Sequence, residues 1–382
     1  MHKRIRLGQL CPGMFVVNYG AGTFDDPFVE LGYFIKTMDQ IVELKERRIH
    51  ELLIDIRLGC DVRFKDTPPQ NTVSFEQELH VAEKLYVETL RHARSFMADV
   101  RHGKGVDYQQ SLPLLDKLMQ SVRRNRTAAG SLSKLRRFDE YTYTHCINVA
   151  VLSMSFGSFL GLDEEELRLI GLAGLYHDVG KALVPEKLLN KPGRFTPAEY
   201  AQIKTHPLHG YKLMTSQSGL DQRVLRAIVE HHERADGSGY PMGLAGDDIS
   251  TFAQIIGIVD VYDALTSNRC YRSAQLPRDV LRIMFERREN DFITGLVERF
   301  IKCMGIYPPG SFVRLSDGRY GVVCETNTDQ ALAPRVKVAL DSKLRPLTPE
   351  IVDTAVESNP KLSIVDCLDP AQFKIDVYRL VN

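Results

Sequence analysis

The sequence predicts a mainly α protein, a helical domain preceded by a small α+β module and followed by a short β-rich element. Three observations carry this expectation. Apolar residues at helical spacing dominate from about Phe75 to Ile301, as in "EQELHVAEKLYVETLRHARSFMADV" (Glu76–Val100). The stretch before them mixes short apolar runs with one helical segment, and after "YPPGS" (Tyr307–Ser311) the pattern turns to alternation. A chain of 382 residues is also long enough for two or three units with cores of their own.

In chain order, residues 1–64 form the α+β module: "MFVV" (Met14–Val17) and "ELLIDI" (Glu51–Ile56) read as strands, and "MDQIVELKERRIH" (Met38–His50) as a helix. Residues 65–115 read as a linker and a connecting helix, because "DVRFKDTPPQNTVS" (Asp61–Ser74) has charge, Pro-Pro and Asn without periodicity before helical spacing begins. The helical domain is expected over 116–311. In 312–382, "FVRLSDGRYGVVCE" (Phe312–Glu325) carries Asp317-Gly318 between two strand-like runs, a hairpin signal, and "RVKVAL" (Arg335–Leu340) adds a strand.

Composition excludes several function classes. Lys+Arg and Asp+Glu are balanced at 49 each, so no global field draws the chain to nucleic acid or to an anionic membrane. No stretch approaches the length of a membrane span. The seven cysteines are odd in number, dispersed and without a CxxC, which fits a reducing compartment; a cytoplasmic protein is expected.

The histidines carry the chemistry. Of eleven, six fall in one stretch of the helical region: His145, His177, His206, His209, His231 and His232. In "IGLAGLYHDVGKALVP" (Ile170–Pro185), Ile170, Leu172, Leu175, Tyr176 and Val179 mark a mostly buried helix. Burying His177 beside Asp178 at its end is costly unless they are paired or ligate a metal. A lone histidine is more often a satisfied core or surface group, but several in agreement are not. Imidazoles with carboxylates suit first-row transition metals, and an aspartate can bridge two ions, so Asp178 is the natural bridge. "THPLHGYKLM" (Thr205–Met214) and "EHHERADGSGYP" (Glu230–Pro241) are further candidate segments. Asp260, after an apolar run, would otherwise be buried without a partner, with helix capping or exposure as the competing expectation for Asp260 and Asp263.

His177-Asp178 with Gly180-Lys181, His206, His231-His232-Glu233, Asp236-Gly237, Gly239-Tyr240-Pro241 and Asp260 together resemble the HD-GYP family of cyclic dinucleotide phosphodiesterases. "LCPGMFVV" (Leu10–Val17), "DPFVE" (Asp26–Glu30) and "LLIDIRLG" (Leu52–Gly59) resemble the small N-terminal domain that accompanies some of its members. The resemblance implies an all-helical HD-type catalytic domain and metal ligands at His145, His177, Asp178, His206, His231, His232 and Asp260. It implies a phosphate-holding Lys181, a pocket-shaping Tyr240 and basic residues Arg269 and Arg272. His209 has no ligand counterpart and is expected on a helix surface.

Two divalent metal ions, iron or manganese, are the implied cofactors; such a pair acidifies water and polarises a phosphoryl oxygen. The implied reaction is hydrolysis of cyclic di-GMP to pGpG by a hydroxide held between the metals, a second cut to GMP being left open, with Asp178 and Lys181 as its catalytic residues. Cyclic GMP-AMP is an alternative substrate. A module that binds a dinucleotide or a protein without turnover, and a phosphohydrolase for other phosphate esters, are the competing classes. A homodimer or a signalling protein is the further partner expected. Two positions depart from the family pattern. Tyr141 stands where some members have a glutamate for a third metal, which Glu140, about 140° round a helix from His145, does not replace. Cys270 stands where many have proline, between the two arginines.

Overall fold

Short strands with one apolar face need a partner layer, and the first residues supply it locally. Strands β1 (His2–Arg6), β2 (Phe15–Asn18) and β3 (Tyr33–Phe34), helix α1 (Met38–Glu46) and strand β4 (Glu51–Asp55) form a four-stranded antiparallel sheet in the order β1-β4-β2-β3. Ile5, Met14, Val16, Ile35, Leu44, Leu52 and Ile54 close a core between sheet and helix. The computed structural model describes residues 2–18, 32–47, 49–55, 57–59, 71–135, 141–268, 274–327, 330–356 and 362–381, with the backbone alone at 18, 133–135, 141, 142 and 381. The segment Asp26–Glu30 and most of the expected linker lie outside the described residues.

Ser74 caps the long helix α2 (Phe75–Arg101) by accepting from the Gln77 amide. Its stripe of Leu79, Tyr86, Ala93 and Met97 enters the main helical core, so α2 packs as a member of the bundle. Helices α3 (Leu112–Arg124), α4 (Arg126–Leu135), α5 (Tyr141–Phe159) and α6 (Glu164–Tyr176) follow. α5 is apolar nearly all round, with Ile147, Val149, Ala150, Met154 and Phe156 buried, as befits a central helix. Asp163 and Glu166 form a capping box at the start of α6. At Gly174 a Cβ would stand 2.8 Å from the Ala150 Cα, so a glycine there lets α6 approach α5 closely.

Next come α7 (Glu186–Leu189), α8 (Pro197–Ile203), α9 (His206–Thr215), α10 (Gln222–Glu230), α11 (Thr251–Thr266), α12 (Pro277–Glu286), α13 (Arg288–Asp291) and α14 (Leu296–Met304). Strands β5 (Phe312–Leu315), β6 (Tyr320–Glu325), β7 (Arg335–Leu340), β8 (Pro346–Asp353) and β9 (Ile364–Leu368) make a second antiparallel sheet, ordered β8-β7-β6-β5-β9, before α15 (Val377–Val381). Gly318, at φ 87°, turns the expected β5–β6 hairpin. One sheet face, with Phe312, Val322, Cys324 and Leu340, joins the helical core; Val313, Val323, Val336 and Val338 on the other make a small core of their own. The architecture is the mainly α one expected. Among the described residues no helix is long and apolar enough to cross a membrane.

Candidate metal centre

Helix ends assemble the site. α6 stops at Tyr176, with His177 and Asp178 in the turn beyond it, and the chain continues as a 3-10 segment, Val179–Leu183, where the apolar pattern through Val179 suggests a longer helix. The tighter winding lays Lys181 back on Asp178, with Nζ 2.5 Å from Oδ2. Gly180 is required by a crossing: a Cβ there would lie 2.0 Å from the His206 carbonyl oxygen and 2.5 Å from the Gly210 nitrogen. That crossing seats His206, the first residue of α9, beside the HD turn. α10 ends at Glu230, so His231 and His232 leave its C-terminus, while His145 comes from the first turns of α5 and Asp260 from α11.

Asp178, 1 % exposed, is the centre. Its Oδ1 lies 3.1 Å from His206 Nε2 and 3.7 Å from His231 Nε2; its Oδ2 lies 3.3 Å from His177 Nε2 and 3.7 Å from His145 Nε2. The carboxylate therefore turns a different oxygen to each of two ligand groups, Asp178 with His206, His231 and His232, and Asp178 with His145 and His177. Asp260 links them from a second side, Oδ1 at 3.1 Å from His145 Nε2 and Oδ2 at 3.7 Å from His232 Nδ1.

The ring tautomers follow from what each Nδ1 touches. Nδ1 of His177, His206 and His231 lies 2.7, 2.8 and 2.8 Å from the carbonyl oxygens of Gly174, Ile203 and Ile228. A carbonyl only accepts, so each Nδ1 carries the proton and each Nε2 turns a lone pair inward. His145 Nδ1 is held at 2.8 Å by Asp263 Oδ2; Asn148 Nδ2 donates to Asp263 Oδ1 over 2.9 Å, and the Tyr86 hydroxyl donates to Asn148 over 2.7 Å. Asp260 and Asp263 are both buried, so neither caps a helix nor faces solvent. The orienting trio of Asp263, Asn148 and Tyr86 is absent from the site expected on sequence. Its signal was a polar residue three positions after His145 and another three after Asp260, inside runs otherwise apolar.

The charge balance suits cations. Burial alone would raise the Asp178 pKa, but the Lys181 ammonium outweighs it and holds the carboxyl well below the usual carboxylate range. Burial likewise opposes the ionised form of Asp260, and His145 outweighs it. Burial lowers His206, takes His231 down to about 4 and, with His231 adjacent, pushes His232 well down, keeping these rings neutral. Burial also opposes charge on His145, but Asp260 and Asp263 outweigh it and lift the ring to about 9. Buried His177 Nε2 and Asp178 Oδ1 make no hydrogen bond. His206 and His231 bring Nε2 to Nε2 at 3.4 Å with both protons on the other nitrogens, so two lone pairs face each other. Neutral imidazoles, ionised carboxylates and opposed lone pairs fit divalent cations of the transition series.

Beside the centre, the Tyr240 ring lies on His232, centroids 4.7 Å apart and tilted by 31°. Glu233 is no ligand: its oxygens accept from the Met242 and Leu244 amides at 2.7 and 3.0 Å and hold the loop that carries Tyr240. Gly239 is needed in that loop, since a Cβ would stand 2.4 Å from the Glu233 Cα. The structure thus brings His145, His177, Asp178, Lys181, His206, His231, His232, Tyr240 and Asp260 together. His209 is half-buried on α9, less exposed than a helix-surface residue. Arg269, Cys270, Arg272, Glu140 and the Tyr141 side chain lie outside the described residues.

Residues 113–293 match the family described as HD domain, and residues 2–111 one described as a domain of unknown function. A cyclic di-GMP phosphodiesterase of Pseudomonas aeruginosa is 35% identical over 369 residues, covering 92% of this chain and 89% of its own. A cyclic di-GMP phosphodiesterase response regulator of Xanthomonas campestris is 35% identical over 51% of this chain and 53% of its own. A 3'3'-cGAMP-specific phosphodiesterase of Vibrio cholerae is 39% identical over 38% of this chain and 33% of its own. Among solved structures, an HDG"Y"P protein from Bdellovibrio bacteriovorus shares the fold, with a TM-score of 0.50 at 17% identity over 78% of this chain and 98% of that one.

Proposed function

The chain belongs to the HD-GYP family, HD-domain phosphohydrolases that act on cyclic dinucleotides, and from that premise we propose that it hydrolyses cyclic di-GMP to pGpG and onward to GMP at the centre around Asp178. The observation that carries the reading is the division of Asp178, one oxygen toward His206 and His231 and the other toward His177 and His145. Its metal ligands are His145, His177, Asp178, His206, His231, His232 and Asp260, for two divalent ions, iron or manganese. When bound, such ions acidify water and polarise the phosphoryl oxygen.

The residues of the chain do the rest. Asp178 and Asp260 supply the negative charge that fixes the cations, and the Nδ1–carbonyl bonds aim the rings without further reorganisation. Lys181, its side chain 24% exposed and paired with Asp178, stands where it neutralises a phosphate oxygen arriving at the centre. Tyr240 walls the side next to His232, and Arg269 and Arg272, which lie outside the described residues, are the further basic residues proposed for the phosphate. In-line positioning and charge neutralisation are most of what phosphodiester hydrolysis requires.

The test is anaerobic reconstitution with iron or manganese, followed by product chromatography on cyclic di-GMP, 3'3'-cGAMP and a simple phosphate diester. Conversion of cyclic di-GMP to pGpG and GMP is expected. Preference for 3'3'-cGAMP would reassign the substrate within the class. A metal-loaded chain inert to every cyclic dinucleotide would contradict the reading.

A further inference from the structure

Several of the helices that carry the centre are also held by the N-terminal sheet, at the α5–α6 turn, at the start of α11 and along α10. Arg6, on β1, donates from Nη2 to the Leu160 carbonyl over 2.9 Å, at the turn between α5 and α6, and lies 3.4 Å from Glu166 in the first turn of α6. Glu51, its partner in the β1–β4 register, accepts the amide of Thr251, the first residue of α11, at 3.1 Å. Arg226 on α10 lies 3.8 Å from Glu51, donates to the Asp248 carbonyl over 2.9 Å and to Glu230 over 2.7 Å. The other Glu230 oxygen accepts the Ser250 amide at 2.7 Å, and Glu230 immediately precedes His231. Arg4 completes the group, 3.6 Å from Glu51 and donating to the Asp247 carbonyl over 2.5 Å.

The grip is buried and directional. Side-chain exposure is 6% at Arg6, 12% at Glu51 and 4% at Glu230, so solvent screens these charges little. The Glu51 carboxylate sits where the α11 dipole favours negative charge. From Thr251 to Asp260 the helix runs about 13 Å, at about 1.5 Å per residue, so a tilt at its start moves Asp260 and Asp263 together. The same sheet holds the first turn of α6, opposite His177, and reaches α10 through Arg226, one turn before Glu230 and His231. Ligand sites lose affinity when their donors are misplaced by about half an ångström.

We propose that the N-terminal module is a clamp on the metal centre, with Glu51 as its positioning residue, so that docking of the module and occupancy of the centre strengthen each other. The inference rests on the two-metal reading and gives the first domain a function, control of metal affinity from a distance. The coupling is reciprocal, so it is legible from either end.

Two measurements on the full chain test it: Mn2+ affinity by chelator competition for the unaltered protein, Glu51→Ala and Glu51→Gln, and amide hydrogen exchange with and without Mn2+. Glu51→Ala is expected to weaken Mn2+ binding about 5-fold or more, the lower end for coupled sites. Glu51→Gln keeps an acceptor for Thr251 but no charge for Arg4 and Arg226, and is expected to recover part of the loss. In the unaltered chain, Mn2+ is expected to slow exchange at Ser250, Thr251 and along β4, an arm that stands even if Glu51→Ala does not fold. Unchanged Mn2+ affinity in the folded variants, or exchange at Ser250 and Thr251 that ignores Mn2+, overturns the clamp. An unaltered chain that holds no Mn2+ overturns the metal-centre reading beneath it.

Discussion

Asp178 faces two histidine groups with two oxygens, and the surrounding residues determine what each substitution does. Lys181 pairs with Asp178 through Oδ2 and makes none of the ring contacts, so Lys181→Ala is expected to keep its metal and lose about 2–4 kcal/mol of transition-state stabilisation, by analogy with one oxyanion donor. Parallel metal analysis and kcat check this, and equal loss of both would make Lys181 a structural support. Asp263 accepts from His145 and Asn148 with separate oxygens, and an asparagine has only one acceptor to offer. Asp263→Asn should lower metal affinity about 10- to 100-fold, the usual effect of losing a group that orients a ligand. Proton balance gives a further check. His145, lifted to about 9 from its ordinary 6.5, carries a proton in the metal-free chain at neutral pH, whereas a ligating ring must be neutral. The ion pairs of that raised group stabilise the metal-free fold fully below pH 6.5 and are lost as pH rises through 9. Metal uptake at pH 7.5 should therefore release protons, and apparent affinity should rise toward pH 9; calorimetry in buffers of different ionisation enthalpy measures both.

At the scale of elements, the fit between pattern and structure depended on how local each cause was. The β5–β6 hairpin was legible because Asp317-Gly318 acts within a few residues, and the start of α2 because helical spacing sets in at Phe75 right after the unpatterned Asp61–Ser74. His177-Asp178 was legible because an adjacent ionisable pair in an apolar run is costly to bury unless it is paired or ligates a metal. Asp263 and Asn148 were hidden, since their partners lie 118 and 115 residues away and each looks like an isolated polar residue. The 3-10 winding of Val179–Leu183 was equally hidden, because its cause is the crossing of Gly180 under α9. Gly180→Ala tests that cause. Its Cβ would meet backbone atoms of His206 and Gly210, which no rotamer change relieves, so α9 must shift. A loss of about 1–3 kcal/mol in stability is expected, with a larger proportional loss of metal, read by thermal melting beside metal content.

Across the whole molecule, the candidate metal centre draws on the ends of α6, α9 and α10 and the sides of α5 and α11, and the N-terminal sheet contacts the α5–α6 turn, α10 and the start of α11. The two sheets differ in kind: the C-terminal one merges its inner face with the helical core, whereas the N-terminal one keeps its own core and meets the helices through a few buried charges. On the proposed reading the seven donors, divided by Asp178, would hold two ions, with Tyr141 offering no carboxylate for a third. The most direct test is metal content per chain, measured with product chromatography on cyclic di-GMP, for the unaltered protein and for Asp178→Ala after anaerobic reconstitution. Two ions per chain with formation of pGpG are expected for the former, and loss of both ions and of hydrolysis, with the helical circular dichroism retained, for the latter. Full hydrolysis by a metal-free Asp178→Ala chain, or a reproducible third ion in the active unaltered protein, would contradict the account.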